Sequence, residues 1–96
     1  MSTRPPFTAA VFKAVGPANE VAPEDGVTFS LKEAQAHVGG NIEILRPPRG
    51  RGLDGLLAVV NEDGIRLNLP ENVGASAMMG MIILGDVLLC KEEMFE

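Results

Sequence analysis

Bond-making chemistry needs a nucleophile, a base within hydrogen-bond reach of it and a third group that orients the base. This chain offers one imidazole, His37, and one thiol, Cys90. His37 falls near the end of a short helical pattern, where an imidazole caps free carbonyls or faces water. Cys90 follows Leu88-Leu89 and reads as a small hydrophobe at a strand end, with no neighbour in sequence that would favour its thiolate. One His and one Cys are too few for a structural zinc site. Asn61-Glu62-Asp63 carries oxygens suited to calcium, but the twelve-residue loop with its terminal Glu is absent, and a tight turn uses the same residue types. Carboxylates are plentiful, yet no pair is set apart by its surroundings as a general acid and base. The expectation is a protein that is not an enzyme, with no catalytic residue, no metal site and no cofactor.

Two glycine-bearing segments remain. Gly50-Arg51-Gly52-Leu53-Asp54-Gly55 spells G-x-G-x-x-G, the dinucleotide-binding fingerprint. That motif works by opening a helix onto a pyrophosphate, whereas the apolar run Leu56 to Val60 that follows here is strand-like. The overlapping stretch Arg46-Pro47-Pro48-Arg49-Gly50-Arg51-Gly52 holds three of the five arginines in an otherwise acidic chain. Guanidinium groups present planar forks of donors to phosphate or carboxylate, the prolines stiffen the entry, and Gly50 and Gly52 let a ligand approach the backbone. Arg46, Arg49 and Arg51 with Gly50 and Gly52 are therefore the candidate anion-binding residues. The plainer reading is a solvated loop whose arginines pair with carboxylates such as Glu43 and Asp54.

These residues need a scaffold, and 96 residues with 46% hydrophobic and 22% charged side chains are the size and composition of one folded domain. A small α+β domain is expected, with a mixed, mainly antiparallel sheet of about five strands and one or two short helices. After a flexible stretch over residues 1–6, Phe7 to Val15 reads as the first strand and residues 18–26 as a solvated loop. Ser30 with Glu33 forms a capping box, and Leu31, Ala34 and Val38 share a helical face closed by Gly39-Gly40. Asn41 to Leu45 is a strand ended by Pro47-Pro48, and residues 46–55 form the Arg/Pro/Gly loop. Leu56 to Val60 is continuously apolar and so buried on both faces. Asp63-Gly64 then signals a hairpin whose second arm is Ile65 to Leu69. Glu71 to Gly80 is ambiguous between a helix and a turn, and Ile82 to Leu89 is the last strand, kinked at Gly85-Asp86.

Thirteen acidic against eight basic side chains give a net charge of -5, which argues against general nucleic-acid binding. No stretch reaches the ~18 apolar residues of a membrane span. A single cysteine excludes an internal disulfide and fits a reducing cytoplasm. Met78, Met79 and Met81 beside Ile82 to Leu84 form either core or an adaptable contact surface. A homo-oligomer is expected, because pairing or covering an apolar edge strand removes its aggregation risk.

Gly39-Gly40-Asn41-Ile42-Glu43, Val60-Asn61-Glu62-Asp63-Gly64, Leu69-Pro70-Glu71-Asn72 and Ile83-Leu84-Gly85-Asp86-Val87 together resemble a family of small bacteriophage and bacterial proteins classed as a domain of unknown function. The likeness runs from about Val27 to Leu89. It implies a helix before the Gly-Gly, a hairpin turn at Asn-Glu-x-Gly and entry to the last strand at Gly-Asp, and it carries no catalytic residue. Asn41 stands where that family has an aromatic, and the arginine loop lies outside its pattern. The expectation is a phage-type accessory protein that binds and modulates a host or defence protein, with the acidic C-terminus steering the encounter. The alternative is sequestration of a small phosphorylated ligand or signalling nucleotide by the arginine loop.

Overall fold

The computed structural model describes residues 9–50 and 52–95. Among these residues, five strands form one antiparallel sheet: β1 (Ala9–Phe12), β2 (Asn19–Glu20), β3 (Ile42–Leu45), β4 (Leu56–Asn61) and β5 (Val87–Lys91), in the order β2-β1-β5-β4-β3. Helix α1 (Leu31–Val38) joins β2 to β3, and helix α2 (Val73–Met79) lies between β4 and β5. A single 3-10 turn, Glu92–Met94, follows β5.

The central strands β4 and β5 are buried throughout their apolar runs because each sheet face carries a helix. Side chains alternate across a strand. Val11, Val59, Leu88 and Cys90 therefore point to one face, where they meet Phe29 and the buried Ala34 and Val38 of α1. Ala58, Val60, Val87 and Leu89 point to the other and meet Ala75 and Met79 of α2 together with Ile83. Burying each large side chain of this set is worth about 1.5–3 kcal/mol. The C-terminal segment joins the α1 face: Phe29 N–H donates to the Met94 carbonyl at 2.7 Å, and Met94 and Phe95 pack on that core.

Helix α1 forms where its capping box lies. Glu33 N–H donates to Ser30 Oγ (3.2 Å), Ser30 N–H donates back to Glu33 Oε2 (2.8 Å), and Gly39 ends the helix at φ 80°. The second carboxylate oxygen of Glu33 accepts from Glu24 N–H (2.6 Å) and so holds the preceding loop against the helix.

Four features differ from the sequence expectation. Residues 18–26 are not wholly loop, since Asn19 and Glu20 add β2 to the edge of β1. Among the described residues the first strand runs Ala9–Phe12 and so ends before the expected Val15; Phe7, Thr8 and the stretch 1–6 lie outside the described residues. Ile65 to Leu69 is not a hairpin arm. Both edges of β4 are taken, by β3 and β5, so residues 62–69 coil on themselves, with Leu67 N–H on the Asp63 carbonyl and Leu69 N–H on the Gly64 carbonyl. The last strand begins at Val87 rather than Ile82, because Gly85 at φ 84° breaks the extended run and leaves only a bridge between Leu84 and Glu71. The ambiguous Glu71 to Gly80 segment contains helix α2, and its Asn72 cap accepts from Ala75 N–H (3.1 Å).

Candidate functional site

The arginine loop is the turn of the β3–β4 hairpin, spanning residues 46–55. Gly50 and Gly52 both sit at positive φ, 83° and 74°, so backbone curvature accounts for these glycines. Arg46 is ion-paired with Glu92, and both side chains are exposed. Its carboxylate is thus Glu92, not the Glu43 considered from sequence. Arg46 and Arg49 border an open depression of about 340 Å³ that also receives Asp54. Arg51 lies outside the described residues. The structure therefore brings two of the three candidate arginines to one hollow and sets two carboxylates among them.

A second hollow, of about 210 Å³, opens on the α2 face beside that helix. Its floor is Leu45 and Val60, its rim carries Glu43 and Glu62, and one wall is the segment after α2, with Met81 and Ile82. Ile65 closes it from the 62–69 coil. Ile65 is 86% exposed, Ile82 72% and Met81 50%. The coil is held close, since a Cβ on the buried Gly64 would come within 3.1 Å of Leu84 Cβ. Of the methionines singled out in the sequence, Met79 of α2 is buried and Met78 of the same helix half-buried, so only Met81 reaches this surface. Ile65 and the rim acids were not anticipated. The available signal was Gly85, whose positive φ breaks the extended run and leaves Met81 and Ile82 outside β5.

His37 lies edge-on to Phe29, ring centroids 6.0 Å apart, at a third hollow of about 200 Å³ that it shares with Asp86. Asp86 is engaged structurally: Ala14 N–H donates to it at 2.9 Å, and Lys13 Nζ lies 3.6 Å away. Cys90 is buried, and that burial pushes its thiol up to about 11, the reverse of an activated nucleophile. Among the described residues no three His, Cys, Asp or Glu side chains gather to hold a metal ion, and no helix is long and apolar enough to cross a membrane.

The four motif segments meet at one end of the sheet. Asn61 Nδ2 donates to the Val38 carbonyl (3.1 Å) and Asn61 Oδ1 accepts from Asp63 N–H (2.7 Å). A Cβ on Gly40 would stand 3.0 Å from Asn61 Nδ2, so the second glycine leaves room for that amide. Asn72 Nδ2 donates to the carbonyls of Phe12 (2.6 Å) and Gly85 (3.0 Å). The two buried asparagines join α1 to β4, and α2 to the ends of β1 and the 83–86 segment. A family model, Domain of unknown function (DUF3846), matches residues 13–95. The chain belongs to this family. No curated protein and no solved structure matches it. For this DUF3846 member, then, the arrangement of its own side chains is what bears on function.

Proposed function

We propose that this DUF3846 chain is a non-enzymatic, phage-type accessory protein that binds a host or defence protein and modulates it. The observation that supports this reading is the exposure of Ile65, Met81 and Ile82 around one acid-rimmed hollow. Apolar side chains gathered on a surface, with charge at the rim, are the composition of a protein contact. The test is affinity capture from a lysate of the native host at low salt with the wild type and with Ile82→Asp. A protein retained by the first and lost by the second supports the proposal. The melting temperature of the variant stays near that of the wild type, because Ile82 already faces water. Retention of no protein by the wild type, or equal retention by both, overturns it.

A second reading is favoured by the depression at Arg46 and Arg49: capture of a phosphorylated ligand by the arginine loop. A nucleotide that raises the melting temperature of the wild type, with the shift lost on replacing Arg46, Arg49 and Arg51 by alanine, supports it. No shift across a nucleotide panel removes it.

A further inference from the structure

The outer edge of the sheet on the hollow's side is β3. In an antiparallel ladder, opposed residues alternate between pairs that exchange hydrogen bonds and pairs that do not. Glu62 N–H donates to the Asn41 carbonyl at 2.8 Å, which makes Asn41 and Glu62 a bonded pair. In the register Ile42–Asn61, Glu43–Val60, Ile44–Val59 and Leu45–Ala58, Glu43 and Leu45 therefore bond to β4. Ile42 and Ile44 direct their N–H and C=O groups outward. Among the described residues no backbone hydrogen bond reaches those outward groups. The Ile44 side chain, 42% exposed, flanks the edge on the α1 face, while Glu43 flanks it on the α2 face at the rim of the 210 Å³ hollow.

An open strand edge beside an apolar hollow is the geometry of strand addition, in which backbone bonds supply affinity and alternate side chains supply selectivity. We infer that β3 accepts an extended, basic segment of a partner protein as an added strand, with a Lys or Arg side chain of that segment set against Glu43 over the hollow. This rests on the protein-binding reading above and specifies how the partner is held. Charge decides between occupants. Within β3, the register that pairs both outward residues with a second copy matches Ile42 to Ile44 of that copy. It sets Glu43 against Glu43 of the second copy in a non-hydrogen-bonded pair, where side chains come closest, and like charges directly opposed are destabilising. A cationic side chain at the same place meets Glu43, with Glu62 on the same rim. Apolar residues on either side of the cation would lie on the α1 face beside Ile44.

The probe is the capped peptide Thr-Val-Lys-Val-Lys-Val-Thr, with a counterpart carrying Glu for Lys, titrated into the full chain while amide exchange is followed residue by residue. Expected are slower exchange at Ile42 and Ile44, and at least about tenfold weaker binding of the Glu peptide. Ile44→Pro deletes an outward N–H and no bond to β4, which an edge strand tolerates, and should weaken the Lys peptide by about tenfold. If that variant does not fold, Glu43→Lys replaces it and should reverse the preference between the two peptides. The inference is overturned if the Lys peptide does not bind at about 1 mM, or if it binds without slowing exchange at Ile42 and Ile44. It is equally overturned if those amides are already protected in the free protein in a concentration-dependent way, which would put a second copy on the edge. A captured protein lost by Ile82→Asp but kept by both Glu43→Lys and a folded Ile44→Pro would remove strand addition and leave the binding function standing.

Discussion

Asn72 illustrates how much one side chain can hold. Its carboxamide caps α2 through Ala75 N–H and donates to the Phe12 and Gly85 carbonyls, while its own N–H donates to the Ile83 carbonyl. Asn72→Ala would leave those two carbonyls and one amide without the partner that satisfies them, at about 1–3 kcal/mol for a buried group. The expected loss is about 3 kcal/mol, read as a fall in the urea midpoint. Cys90 makes a prediction in pH. Its folded thiol is raised from 9.0 to about 11, so the native state holds its proton where the unfolded state has released it. This contribution to stability is complete below pH 9 and is lost as pH rises through 9 towards 11. Unfolding followed over that window should show a decline that Cys90→Ala flattens, and thiol reagents should label the native protein only through opening.

At the scale of elements, α1 carries its ends with it. The Ser30 and Glu24 N–H groups, in that order of effect, hold the exposed Glu33 carboxyl below its ordinary value. A depressed carboxyl stabilises the fold above its unfolded pKa of 4.5, and that contribution disappears as pH falls through the lower folded value. The difference in stability between wild type and Glu33→Gln should therefore shrink below pH 4.5. Ser30→Ala should cost about 1 kcal/mol at neutral pH, measured by thermal melting. Gly85 marks the other kind of boundary. At φ 84°, with Leu69 Cδ1 2.8 Å from where a Cβ would lie, it admits no side chain without strain or movement. That break starts β5 at Val87 and frees Met81 and Ile82 from the sheet, which is how they come to line the hollow.

At the scale of the whole molecule, one sheet shared by two cores couples its faces. Leu88→Ala on the α1 side and Ile83→Ala on the α2 side should each cost about 2–5 kcal/mol. Each should lower a single cooperative transition, because β4 and β5 contribute to both cores. A calorimetric trace that splits into two transitions in either variant would show the layers to be independent. The α+β class, helix α1 from its Ser30 and Gly39 caps and the buried β4 run were legible in the sequence, since each shows in the pattern of a few neighbouring residues. Which strands meet was not. Ile65 to Leu69 alternates as a strand should, yet β4 had no edge left to give it, while Asn19-Glu20 pairs on little apolar content. Met94 and Phe95, at the end of an acidic tail, fold onto the α1 core, and Arg46 finds Glu92 rather than Glu43. Local spacing determined the helix caps, and composition the scarcity of reactive groups. Only the tertiary structure decided that β3 is an outer strand and that Glu43, Ile65 and Ile82 share one hollow, because strand order depends on competition among distant segments for a limited number of sheet edges.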